Sequence, residues 1–237
     1  MRALKRLRGR ARGWLLLPLA LAALCATALA QSPEQIRLRD QEMAQCPLAE
    51  VPTWGDGRDR PALASPLRLR YAHAGAPAWF TAEQVMQALQ SAASSWSRCG
   101  VPSEVLRLQA SDELPTGAVF VHWSAAASRG NFGLADLGQR SLALNPALFT
   151  LLRQRNPKHP AGETLQMVVS HEMGHFFGLM AHSRRCIDVT SYYTDGKGGQ
   201  CQAADPGLLK AFGEYRATLP TACDIERCRR ANAAARP

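Results

Sequence analysis

Residues 171–182 read His-Glu-Met-Gly-His-Phe-Phe-Gly-Leu-Met-Ala-His, and this run demands a particular local geometry. On a helix, His171 and His175 stand one turn apart, so both imidazoles leave the same face and can share one metal ion. Glu172 sits beside them, placed to work on water held by the metal rather than on the metal itself. Gly178 then lets the chain leave the helix, and His182 follows as a candidate third ligand. With 6 His and 10 Glu in 237 residues, composition alone gives about 0.006 accidental His-Glu-x-x-His matches. The preceding run carries Leu165, Val168 and Val169 at helical spacing, which takes the motif into a core. The competing reading is a buried helix whose two histidines are satisfied by hydrogen bonds.

The first thirty residues read as a signal peptide. A basic stretch from Arg2 to Arg12 precedes an apolar run from Trp14 to about Thr27, and Ala28-Leu-Ala30 fits the small-x-small cleavage rule. The apolar run is too short for a bilayer-spanning helix, and no other stretch is long enough. Cys25 follows the bulky Leu24 and does not read as a lipid-anchor site. The expected product is exported, periplasmic or secreted, with no membrane span in the mature chain. Six of the 28 basic residues and none of the 19 acidic ones lie in this segment. The remainder therefore carries 22 basic against 19 acidic groups, a net of +3 instead of +9. Nucleic-acid binding loses its main support, and the cluster Glu226-Arg-Cys-Arg-Arg230 reads as a solvated tail.

Six cysteines remain, at 46, 99, 186, 201, 223 and 228. An even number in an exported chain points to disulfides, and a four-cysteine zinc site is the competitor. Nearness in sequence favours Cys186–Cys201, Cys223–Cys228 and Cys46–Cys99.

Along the mature chain, residues 31–65 show weak periodicity and read as a leader or short pro-segment. Residues 66–220 make the main domain, and 221–237 a C-terminal tail. Leu67–Ala72 alternates like a strand. Thr81-Ala-Glu-Gln84 is a capping box opening a helix whose buried face is Val85, Leu89, Ala92, Ala93 and Trp96, with Cys99-Gly100 at its end. Val105–Leu108, Gly117–Trp123, Asn131–Leu137 and Ser141–Asn145 read as further strands, and Leu208, Leu209, Phe212 and Tyr215 as a final helix.

At His171, Glu172, His175 and Gly178 the chain resembles the metzincin zinc endopeptidases, most closely their matrixin-like branch. The order of elements over residues 66–217 is similar too. The resemblance implies an α+β fold: a twisted, mainly parallel sheet, an active-site helix and an irregular, disulfide-linked C-terminal subdomain. It implies Zn²⁺ on His171, His175 and His182, and hydrolysis of peptide bonds with Glu172 as general base and acid. The substrate, a protein or peptide, would lie extended along an edge strand at Gly133–Leu137.

Three departures from that pattern matter. The third histidine comes one residue late, at 182, with Asp188 and Asp195 as alternative ligands; His73, His122 and His159 read as ordinary strand or surface residues. No Met follows Met180, and Thr190 in Asp188–Tyr193 falls where the family has a methionine beneath the metal. Tyr192 falls where some relatives place a tyrosine near the metal, its other reading being a core or surface aromatic. Finally, Arg98-Cys-Gly-Val-Pro102 resembles the matrixin latency segment but lies inside the domain, so a disulfide accounts better for Cys99. The alternative function is an exported metal-binding or interaction module that keeps a protease scaffold without turnover.

Overall fold

A computed structural model describes residues 31–109 and 111–233. The signal peptide expected at 1–30 lies outside the described residues. Five strands form one sheet in the order β2-β1-β3-β5-β4. They are β1 (Leu67–Tyr71), β2 (Ser103–Arg107), β3 (Val119–Trp123), β4 (Gly133–Asp136) and β5 (Ser141–Leu144). Pairing is parallel except for β4, which runs antiparallel to β5 at the outer edge. The mainly parallel mixed sheet matches the sequence expectation.

Alternation decides which face of each strand is buried. Leu67, Leu69 and Tyr71 on β1, and Val119, Val121 and Trp123 on β3, are buried on one face, each large side chain contributing about 1.5–3 kcal/mol. On the other face Arg70 pairs with Glu104 of β2 at 2.6 Å. Against the buried face lies α2 (Ala82–Ser97), opened by the Thr81/Gln84 capping box and burying the five residues its periodicity marks. Next to it runs α4 (Ala161–Phe176), which carries the histidine motif. Trp96 joins the two: its ring stacks on Phe177 and its indole N–H donates to the Ser170 carbonyl at 2.8 Å.

Three helices went unread in the sequence. α1 (Pro33–Ala44) buries no residue, so it has no apolar stripe to detect. α3 (Pro146–Arg155) buries Phe149 alone, and Asn145 caps it. α6 (Ala222–Ala233) corrects the expected tail. It buries Asp224, Arg227 and Asn232 along with Cys223, Ile225 and Cys228, so its inward face is half polar. α5 (Pro206–Ala211) is the expected final helix and ends before Phe212 and Tyr215.

Residues 31–65 are likewise no separate leader, for the chain from Gln31 onward packs as one unit. Past α1 the segment runs beside the chain that follows α4. Leu63, Arg60 and Trp54 donate backbone N–H bonds to Phe176, Gly178 and His182, at 2.9, 2.9 and 3.0 Å.

The disulfides follow from these helices. Cys186–Cys201 forms as expected and closes the irregular segment after α4. The other two expected pairings are wrong: Cys46 joins Cys223 and Cys99 joins Cys228. Five positions apart on one helix, Cys223 and Cys228 point to different sides and cannot reach the Cα separation of about 4.4–6.8 Å that a bridge needs. One is bridged to the chain just after α1, the other to the end of α2. Among the described residues, no helix is long and apolar enough to cross a membrane.

Candidate metal centre

Leu165, Val169, Met173 and Phe176 bury α4 in the core, which turns His171 and His175 together toward the outer strand β4. Their ring centroids are 5.4 Å apart, and His182 stands 5.1 Å from each. One ligand atom from each of the three rings lies within 4.8 Å of the others.

Hydrogen bonds decide which nitrogens converge. Nδ1 of His171 meets the Val189 carbonyl at 2.8 Å, Nδ1 of His175 the Leu179 carbonyl at 2.7 Å, and Nδ1 of His182 the Asp56 carboxylate at 2.7 Å. All three partners can only accept, so each Nδ1 carries the proton and each Nε2 presents a lone pair. The Nε2 atoms of His171 and His182 face each other at 3.2 Å. Two lone pairs at that distance repel. Two nitrogens sharing a tetrahedral zinc, at about 2.0–2.1 Å from each, would stand about 3.4 Å apart. The donor set and its spacing fit that ion. Burial, and next the neighbouring imidazoles, hold His171 well below its ordinary pKa, which keeps its ring neutral as a ligand must be.

The structure thus brings His182, one residue late, to the two helical histidines. Gly178 makes the exit possible: its φ is +106°, and a Cβ there would stand 2.0 Å from the Arg60 carbonyl oxygen. The longer loop is then held from outside. Asp59 accepts from the N–H groups of Met180 and Ala181 at 2.9 and 3.1 Å and is itself paired with Arg227 of α6 at 2.8 Å. Gly57 permits this approach, because a Cβ there would lie 2.4 Å from the Met180 oxygen.

Neither alternative third ligand is near the cluster's open side. Asp188 is fully buried and accepts from Ser183, Arg185 and Thr221. Burial, and then Asp224 beside it, push its pKa up to about 7. Asp195 accepts the N–H groups of Lys197 and Gly199 in an exposed turn. His73, His122 and His159 bond Tyr71, stack on Phe120 and bond Thr164 respectively, away from the site as expected. His182→Ala should therefore weaken zinc binding by at least about 10-fold, since it removes a ligand outright. Asp195→Ala should leave it unchanged. Chelator-competition titration of both variants checks this, and equal affinities for wild type and His182→Ala would exclude the assignment.

Beneath the cluster, Thr190 is buried and packs near Gly174, where the resemblance expects a methionine. Its hydroxyl donates to Asp224 at 2.6 Å, and the Val189 N–H donates to the same carboxylate at 2.9 Å. A buried carboxylate of α6 holds this floor.

Glu172 lies on the open side. Burial raises its pKa against the opposing pull of His175 and of a hydrogen bond from the Ala135 N–H, which reaches Oε2 at 2.8 Å. A cavity of about 380 Å³ opens beside it between β4 and α4, lined by Phe132, Leu134, Met167, Val168 and Arg216. Tyr192 is close to the cluster, with its ring 5.0 Å from that of His182. Its hydroxyl donates to Asp56 at 3.1 Å, and desolvation followed by the Asp56 charge pushes its pKa up to about 12.

No family model matches this chain, and no curated protein does. Among solved structures, the GM1-bound form of the ECX AB5 holotoxin is similar with a TM-score of 0.38 and 12% identity, covering 70% of this chain and 79% of that one. A likeness that slight assigns neither fold nor function.

Asp56, Asp59, Asp224 and the Ala135 N–H had no signal in the sequence. The first two sit in a stretch that reads as a leader, the third in one that reads as a tail, and the last is backbone.

Proposed function

We propose that this protein is an exported, zinc-dependent endopeptidase, periplasmic or secreted, that hydrolyses peptide bonds in proteins or peptides. One observation carries the reading: three Nε2 lone pairs converge on one point, and a buried carboxylate, Glu172, stands beside them in the same cavity. A site that only stores a cation has no use for that base. Zinc held there would supply a Lewis acid, which acidifies water and polarises a carbonyl.

The chain's own residues do the rest. The Ala135 N–H aims the Glu172 carboxylate from β4. Glu172 takes a proton from water as the water oxygen attacks the peptide carbonyl carbon. It then delivers that proton to the departing nitrogen as the C–N bond breaks. Its raised pKa brings it closer to neutrality, where a group can serve as base and then acid. An extended peptide would pair along β4, the outer strand, using main-chain groups and so requiring few particular side chains. Tyr192 contributes through Asp56, to which its proton is committed.

Three disulfides support an oxidising compartment. The expected result is about one zinc per chain and cleavage of an unstructured protein such as casein, abolished by a chelator and restored by zinc. Zinc bound at full stoichiometry with no cleavage of any peptide library would sink the peptidase reading in favour of a non-catalytic metal-binding module.

A further inference from the structure

We infer that Asp56 is a positioning residue of the metal centre, its two carboxylate oxygens setting both where His182 stands and which of its ring nitrogens carries the proton. The inference rests on the metal-site part of the proposal above and not on peptide hydrolysis.

Oδ1 of Asp56 accepts the backbone N–H of His182 at 3.0 Å, while Oδ2 accepts the ring Nδ1–H at 2.7 Å. One carboxylate therefore grips the main chain and the side chain of the same residue. His171 and His175 need no such help, because α4 orients them and backbone carbonyls accept their Nδ1 protons. His182 lies beyond the end of α4 on irregular chain, and its acceptor comes from a residue 126 positions earlier. A carboxylate cannot donate, so Nδ1 keeps its hydrogen and Nε2 keeps the lone pair that faces His171.

The neighbours of Asp56 make the grip rigid. The Tyr192 hydroxyl donates to Oδ2, and Trp54 stacks on the Tyr192 ring with centroids 4.9 Å apart. The Trp54 N–H in turn donates to the His182 carbonyl at 3.0 Å. Residues 54–56 thus hold His182 at its backbone N–H, its backbone carbonyl and its ring. The carboxylate meets Nδ1, on the far side of the ring from Nε2, so this segment builds the site and does not block it. Its removal would leave His182 without an acceptor, which argues against a dispensable pro-segment.

Asp56→Asn keeps the shape but exchanges one acceptor for a donor. If the amide faces Nδ1, that nitrogen must accept, and the ring proton moves to Nε2, where it obstructs a metal. If the amide faces the His182 N–H, donor meets donor. The test uses ¹H–¹⁵N correlation spectra of the imidazoles in metal-free protein together with zinc affinity by chelator competition. Wild type should show His182 as the Nδ1–H tautomer. Asp56→Asn should shift it toward Nε2–H with His171 and His175 unchanged, and raise the zinc Kd by about 10–100-fold. Tyr192→Phe, which leaves the carboxylate in place, should keep the Nδ1–H tautomer. An Nε2–H tautomer for His182 in the wild-type spectrum overturns the inference even if the Asn variant does not fold. An Asn variant with wild-type tautomer and wild-type affinity overturns it as well. Both readouts are independent of turnover, so a protein that fails to cleave peptides would count against the peptidase reading alone.

Discussion

Glu172→Gln is expected to retain zinc and to lose about 10²–10⁴-fold in peptidase turnover, the usual contribution of a positioned general base. The substitution separates binding from chemistry. The side-chain oxygen of Gln can still accept the Ala135 N–H now bonded to Oε2 at 2.8 Å, so the side chain keeps its place. The three converging nitrogens belong to other residues and are untouched. What disappears is basicity: an amide does not take a proton from water near neutral pH. Single-turnover rates, with zinc content measured on the same samples, give the answer. A Gln variant cleaving casein at the wild-type rate would remove Glu172 from the mechanism.

Asp224→Ala should lower folding stability by about 3–5 kcal/mol, a large effect for one side chain on a short helix. Asp224 is fully buried. Its carboxylate accepts the Val189 N–H, the Thr190 hydroxyl and the Thr221 N–H, at 2.9, 2.6 and 3.0 Å. Removing it orphans these donors away from water, at about 1–3 kcal/mol for each one left unpaired. Part of that loss is offset, because Asp188 is relieved of a neighbouring like charge. In a chain of this size, each kcal/mol moves Tm by about 2–4 °C, so a drop of at least about 6 °C is expected. The metal centre should feel the change too, since the Val189 carbonyl orients His171. Calorimetry with and without zinc checks both points, and a Tm within about 1 °C of wild type would show that Asp224 does not hold the floor.

Legibility in the sequence tracked the strength of local periodicity. α2 was readable to its cap because Thr81 and Gln84 form a reciprocal pair and Val85, Leu89, Ala92, Ala93 and Trp96 recur on one face. α6 was not readable. Its buried positions include Asp224, Arg227 and Asn232, whose burial is satisfied by partners far away in the chain: Val189, Asp59 and Phe177. Residues 51–63 escaped for a related reason, since their regularity lies in hydrogen bonds to residues 176–184 and not in side-chain pattern. The disulfide assignment failed at the same place, because proximity along a helix is not proximity of its faces.

The amino-acid order settled the chemistry-bearing pair. Helical spacing alone puts His171 and His175 on one face with Glu172 beside them, since 3.6 residues per turn is a property of the backbone. Folding of the whole chain settled the third nitrogen. His182, Asp188 and Asp195 were equal in kind as donors, and nothing local ranks a residue on irregular chain. The ranking came from Asp56 and Asp59, well over a hundred positions away, which fill the backbone donors of an extended loop that would otherwise have no acceptors and turn one imidazole inward.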